Sequence, residues 1–293
     1  MIQHLSRKEL DVDKYNACIT KSIQSRMYAY AWYLDIVADN WDVLVLNDYE
    51  AVMPIPWRKK YFFKYVYPPF WMIELGIFSR DKKNFETLFL KYMFKKFKFV
   101  ELRMNTQNLV ESFTSFGVEK QLQCLSLQEN YDAVFLKYKR DRKKDLRKAE
   151  KANLIKKWGD DPENLIKLFS ENVGKRTKNI KKKEYKILLE IMKSCIEKKV
   201  GEMLSVYTEN NELIAAAFFL KHQKQITILV SSTDFKNRKN GANTFLIDSA
   251  IYKYQNDFES FHFGGSSIPS IAKYFKSFGA KTSSYFLVKK RLL

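Results

Sequence analysis

Ile226-Thr227-Ile228-Leu229-Val230-Ser231-Ser232 is rich in β-branched residues, and shortly after it Arg238-Lys239-Asn240-Gly241-Ala242 opens into an apolar run with helical spacing. The first stretch reads as the end of a strand and the second as a glycine-containing turn at a helix amino terminus. A strand that delivers such a turn to a helix aims several backbone N–H groups at one spot, where the helix dipole also favours an anion. The plainer reading is a loop in which Gly241 only permits a positive φ.

Working outward, residues 203–207, 213–220 and 225–233 read as three successive strands, with a turn at Asn210-Asn211. A helix from Ala242 and a strand over 260–263 follow. The first half has the same order: strands over 41–46 and 50–57, an extended stretch over 65–78, a helix from Phe85 and a strand over 97–104. Setting Phe85 against Phe245 brings Glu101 against Phe261, an offset of 160 residues throughout. Pro54 and Pro56 predict an edge or a bulge for the second strand. The expected architecture is α+β: two tandem domains, 1–125 and 126–293, each a mixed, mostly antiparallel sheet flanked by helices.

Composition narrows the class. The chain has 293 residues, 46% of them hydrophobic, with 5 Trp, 17 Tyr and 23 Phe, so a disordered chain is excluded. Its longest apolar run, 213–220, is too short to cross a bilayer, and no amino-terminal secretion signal is visible; a cytoplasmic protein is expected. Cys18, Cys124 and Cys195 form neither a disulfide framework nor a C-x-x-C site, and with only 3 His no metal site is expected. A net charge of +19 favours polyanionic partners, although 41 of the 52 cations are Lys, which also suits solvated helix faces. The positive charge is densest over 137–157 and 175–183.

The strand, R-x-x-G-A turn and helix resemble the coenzyme-A-binding motif of GNAT acyltransferases, with Asn243 where that pattern has a small residue. Phe261-His262-Phe263-Gly264-Gly265-Ser266-Ser267, then Ile271-Ala272-Lys273-Tyr274-Phe275-Lys276-Ser277-Phe278-Gly279-Ala280, look like the end of the second domain in FemAB-type, double-GNAT proteins. Arg142-Lys143-Lys144-Asp145-Leu146-Arg147-Lys148 is similar to the basic helix that opens that domain. The resemblance implies two GNAT-like domains moving an acyl or aminoacyl group from acyl-CoA or aminoacyl-tRNA to an amine, as relatives do in building peptidoglycan cross-bridges. The helical arm of some tRNA-dependent relatives would need an insertion, and 162–199 reads instead as core-packed helices.

On that resemblance Arg238, Asn240, Gly241, Ala242 and Asn243 would hold the donor's phosphates, and the reaction would lie near Ser232, Asp234 and Tyr274. Asp234 would orient or deprotonate the amine; the alternative is a turn-capping Asp. The family's usual leaving-group Tyr falls at Phe275 here, and Tyr274 lies about 100° around the helix, so Tyr274 is either a substitute acid or a packing residue. Ser266 and Ser267 would bind the donor carbonyl or cap a helix. Lys144 and Arg147, with Lys148 and Lys151, form a positive stripe for a phosphate-bearing substrate or a solvated face. His262 reads as a half-buried strand residue. In the first domain, 79–84 lacks a glycine, so no phosphate cradle is expected there. Trp32, Tyr33, Tyr67 and Phe70 would wall the acceptor channel or build an aromatic core. The rival reading is a catalytically silent double-GNAT scaffold that binds RNA or an anionic glycan precursor through its basic helices.

Overall fold

A computed structural model describes residues 1–81, 85–108, 117–177, 180–265 and 268–290. The chain begins with β1 (Ile2–Ser6), α1 (Val12–Lys21), α2 (Ala31–Val37), β2 (Trp41–Leu46), β3 (Ala51–Lys60), β4 (Phe63–Val66) and β5 (Phe78–Ser79). Then come α3 (Glu86–Lys96), β6 (Val100–Arg103), β7 (Gly117–Ser126), α4 (Tyr131–Leu136), α5 (Arg140–Lys151), β8 (Ile155–Trp158), α6 (Pro162–Phe169) and α7 (Lys182–Glu197). The remainder is β9 (Gly201–Tyr207), β10 (Leu213–His222), β11 (Gln225–Thr233), α8 (Ala242–Tyr254), β12 (Ser260–Gly265), α9 (Pro269–Lys276) and β13 (Lys281–Lys290).

Two compact units result, one of Met1–Gln121 joined by the described residues from Ser283 onward, the other of Leu122–Thr282. The expected division at 125/126 therefore moves, and the carboxyl-terminal residues leave the second domain. The cause is a strand partner that sequence order does not reveal: β13 pairs antiparallel with β6, from Leu287↔Arg103 to Lys290↔Val100.

In the first unit β1, β2 and β3 form an antiparallel ladder. β3 is not an outermost strand, but its prolines lie on a stretch of open edge, in keeping with the edge or bulge that they predict. It is flanked by β5 at Ala51 and Val52 and by β4 from Trp57 to Lys60, and Pro54 and Pro56 fall in the gap, where a missing N–H costs no ladder bond. Tyr33 is fully buried and donates to the Trp71 carbonyl at 2.6 Å. Tyr67 is buried too, with the Arg58 guanidinium 4.0 Å from its ring centroid. Tyr33 and Tyr67 are core, not channel wall; Trp32 packs edge-on against Tyr33 and Phe70 against Trp71. Of the glycine-free counterpart turn, 82–84 lies outside the described residues.

The second unit repeats the scheme, with strand order β7-β12-β11-β10-β9-β8. Adding 160 to the bounds of β2 gives 201–206, against Gly201–Tyr207 for β9, and to those of β6 gives 260–263, against Ser260–Gly265 for β12. All neighbours are antiparallel except β11 and β12, whose connection runs through α8. One core cluster forms where Leu246, Ile247 and Ile251 of α8 meet Phe219 and Phe261 of the sheet. Asp161 caps α6 by accepting from the Glu163 N–H, ahead of Pro162 at the first helical position. Leu188, Ile191, Met192 and Cys195 bury one face of α7, while Ile196 is exposed.

Candidate active site

β11 and β12 separate as they run. Their parallel ladder covers only Gln225 to Thr227 against Ser260 to His262, while β11 continues to Thr233. β12 is turned aside by a bulge between His262 and Gly265, where Gly264 takes φ +78°. On its other edge β11 stays paired with β10 as far as Ala215↔Thr233. One side of residues 228–233 is thus left without a strand partner among the described residues, with backbone groups that a ligand can bond.

A cavity of about 520 Å³ opens at this wedge. It lies at the carboxyl end of two parallel strands, the usual position of ligand sites beside parallel sheets. Ser231, Ser232 and Thr233 of β11 form one wall, and Arg238, Gly241, Asn243 and Thr244 another. Tyr274 and Phe275 of α9 face them, and Arg142 and Asp145 come from α5.

The start of α8 explains the glycine. Gly241 has φ +84°, and a Cβ there would sit 2.0 Å from the Asp145 carbonyl oxygen, so the turn is pressed against the backbone of α5. The Asn240 side chain accepts from the Ala242 N–H at 3.0 Å, while Gly241 has no side chain to cap the next amides. The N–H groups of Asn243 and Thr244 are left as the orphan donors of the first turn. Arg238 lies 3.6 Å over the Phe235 ring, and Arg176 lies 4.0 Å over the same ring. Burial first, and then the like charge of Arg176, lower the Arg238 pKa. Neither arginine has an acidic partner among the described residues. Phe235 is positioned by its N–H, which donates to Asn172 at 2.9 Å, and Asn172 belongs to the π-helical turn Ser170–Gly174. Such turns recur at functional sites.

A polar cluster lies at the other end of the cavity. Arg142 donates to the Thr244 hydroxyl at 2.9 Å and pairs with Asp145 at 3.0 Å. The Thr244 and Tyr274 hydroxyls are 3.1 Å apart. Burial raises the Tyr274 pKa, opposed by hydrogen bonds and charge from Thr244, Arg142 and Asn243. All three stabilise negative charge on the phenol oxygen, so the side chain can lose its proton to a leaving group without isolating a buried anion.

Neither a protein-family model nor a curated protein matches the chain in sequence. Solved structures do match in shape. FemX superimposes with a TM-score of 0.68 at 10% identity, over 98% of this chain and 97% of that one. The carboxyl-terminal domain of a putative lysylphosphatidylglycerol synthetase from Agrobacterium fabrum gives 0.61 at 11% identity, over 98% and 93%. A tandem GNAT protein from the clavulanic acid biosynthesis pathway gives 0.54 at 8% identity, over 99% and 98%. The fold is the FemX-like tandem GNAT fold.

Within the tandem GNAT fold, Ser232, Arg238, Gly241, Asn243 and Tyr274 share one cavity, and other expected residues lie elsewhere. Asp234 does not line it. Its carboxylate accepts from the Lys236 N–H and from Asn237, so it caps the turn. Ser232 is buried and donates to the Leu168 carbonyl at 3.3 Å. Ala242 is core. Lys144 and Arg147 are exposed and point away from the wedge, because the face of α5 that meets α8 is the one carrying Arg142 and Asp145. Arg147 instead borders a separate cavity of about 670 Å³ with Phe135, Leu146, Leu154 and Phe245. Ser266 and Ser267 lie outside the described residues. His262 sits in the strand, opposite Cys124 and Thr227.

Tyr274 faces the cavity despite its offset from the family position. Phe275 stacks on Phe263 at 4.9 Å between centroids, which rotates α9 so that residue 274 meets Thr244. Sequence reasoning missed Arg142, Asp145, Thr244 and Arg176 as site residues. Arg142 and Asp145, three residues apart on one helix face, were the available signal. Cys18 and Cys195 are buried, and burial pushes their thiols up to about 11 and about 12, so neither is an activated nucleophile. Among the described residues no three His, Cys, Asp or Glu converge as a metal site, and no helix is long and apolar enough to cross a membrane.

Proposed function

We propose that the protein is a transferase that moves an acyl or aminoacyl group from a phosphate-bearing donor to an amine in the cavity of the second unit. The observation that carries this reading is the wedge between β11 and β12, opening beside a helix start where only the first N–H, that of Ala242, is capped. An amide-bearing donor arm fits the wedge by pairing with the free edge of residues 228–233, as a strand would. Its phosphates suit the Asn243 and Thr244 N–H groups and the Arg176–Arg238 pair. The donor is then acyl-CoA or aminoacyl-tRNA, both of which join a phosphate-rich carrier to an activated ester or thioester.

The amine attacks the donor carbonyl directly, since an activated ester or thioester needs alignment more than a covalent intermediate. As the carbonyl–carrier bond breaks, Tyr274 gives its proton to the departing sulfur or oxygen, and the donors around its oxygen hold the phenolate. With Asp234 tied into its turn, the acceptor's ammonium loses a proton to solvent before the free amine attacks, the new C–N nitrogen sheds its second proton to solvent as the carrier departs, and the Tyr274 phenolate regains a proton from solvent. The names of neighbouring structures support this class: one is the carboxyl-terminal domain of a putative lysylphosphatidylglycerol synthetase, and the tandem GNAT protein is described as being without AcCoA. A role in cell-envelope metabolism fits FemX and the synthetase.

Calorimetry and thermal shift with acetyl-CoA, longer acyl-CoAs and aminoacyl-tRNA test the reading. Stabilisation by one of these donors, lost in Arg238→Glu, is the expected result. No response to any donor, together with ribonuclease-sensitive co-purification of RNA, overturns it in favour of a silent scaffold.

A further inference from the structure

The hairpin joining β3 to β4 departs from the chemistry of a tight turn. Lys60 pairs with Phe63, so the loop consists of Tyr61 and Phe62 alone. Two-residue hairpin loops favour Asn-Gly or Asp-Gly because the backbone there takes positive φ. Tyr61 occupies φ +53°, a left-handed conformation that bulky residues avoid. Tyr61 is 85% exposed and Phe62 95%, so neither ring is held by the protein's own packing. Phe63 and Phe99 add two more partly exposed rings, and the Val66 N–H bonds the Phe99 carbonyl at 3.0 Å. A local rule broken at the tip of a protruding hairpin marks a function outside the fold's own stability.

The charges around the tip are of one sign. Lys59 lies directly opposite Lys64 in the ladder, an unfavourable like-charge pair in an isolated hairpin. Asp39 and Asp42 are engaged further down by Arg58 and Lys64. Lys59, Lys60 and Lys98 have no acidic partner among the described residues, and Lys98 lies 5.0 Å over the Phe63 ring. We infer that this hairpin is a membrane-docking tip, inserting Tyr61 and Phe62 at the headgroup level of an anionic bilayer while Lys59, Lys60 and Lys98 contact its phosphates.

A bilayer interface accepts amphipathic rings at headgroup depth, and an anionic leaflet attracts lysines beside them. A nucleic acid strand fits less well: it needs a groove to track and ring faces to stack on, and a turn two residues wide offers no groove. The inference is independent of the transfer chemistry.

The test is co-sedimentation of the full chain with phosphatidylcholine vesicles, with and without about 30% phosphatidylserine, at low and high salt. Binding to the anionic vesicles is expected, about tenfold or more above neutral ones and weakened by salt. Tyr61→Ser/Phe62→Ser lowers it about tenfold with unchanged melting temperature, and Lys59→Gln/Lys60→Gln lowers it by about fivefold per charge. Lys186→Gln/Lys224→Gln, a charge-matched control elsewhere, retains binding. Vesicle binding that is absent, or that falls equally in the control pair and the hairpin variants, overturns the proposal. So does a dimer or an RNA complex that depends on Tyr61 and Phe62 in a protein that ignores vesicles.

Discussion

Arg142 lies over the ring of Tyr274, its guanidinium carbon 4.3 Å from the ring centroid, while the same group bonds Thr244 and pairs with Asp145. A single side chain therefore fixes the ring by stacking and holds positive charge beside the phenol oxygen.

Tyr274→Phe removes the proposed proton donor and little else from the cavity. The turnover rate is expected to fall by about 10² to 10⁴, with donor affinity nearly unchanged. Steady-state kinetics beside calorimetry separate the two; an unaltered kcat removes Tyr274 from the chemistry.

As the proposed acid, Tyr274 would be active when protonated, and burial raises its pKa. The alkaline limb of the kcat profile therefore lies above the ordinary tyrosine value of about 10. Arg142→Met removes a group that lowers that pKa, so the limb moves further up while kcat falls, a split that loss of structure alone would not produce.

Arg238→Glu places a carboxylate where the donor's phosphates are proposed to lie, beside Arg176. Donor affinity should drop by tenfold or more, and the salt dependence of binding should become shallower. Titration at two ionic strengths checks both effects.

Gly241→Ala is a test of folding rather than of ligand binding. The added methyl meets the Asp145 carbonyl at 2.0 Å in a left-handed backbone conformation. A loss of about 3 kcal/mol or more is expected, read as a lowered denaturation midpoint without ligand. A charged residue at 241 would therefore unfold the site before it repelled a phosphate.

Asp160 supplies a pH-dependent share of stability. Burial alone would raise its pKa, but Lys157 and the Tyr207 hydroxyl donate to the carboxylate and hold it well below the usual range. A depressed folded pKa stabilises the fold above the unfolded value, about 3.9, and that stability is lost as pH falls toward the folded pKa. Asp160→Asn should cost about 2 kcal/mol at pH 7 and progressively less below about pH 4. Denaturant titrations across that range decide it.

Much of the fold is written locally. Strands β2 and β11 and the start of α8 coincide with the stretches that the side-chain pattern marks, because apolar, β-branched runs and a glycine-containing turn are signals carried by near neighbours. The sequence offset that links Glu101 to Phe261 is likewise visible as a superposition of two element orders. The site is legible only in part: Arg238, Gly241 and Asn243 stand in a contiguous motif, but nothing local separates Lys144 and Arg147 from Arg142 on the same basic helix.

By itself, then, the sequence determined the tandem α+β plan and the strand, turn and helix that form one wall of the cavity, since these rest on spacing within a few turns of chain. Tertiary structure alone decided that β13 returns to β6, that β11 and β12 part after Thr227, and that Phe275 packing on Phe263 turns Tyr274 toward Thr244. The physical reason is that pairing, divergence and helix rotation are settled by contacts between residues tens to hundreds of positions apart, where packing and unsatisfied backbone groups outweigh local preference.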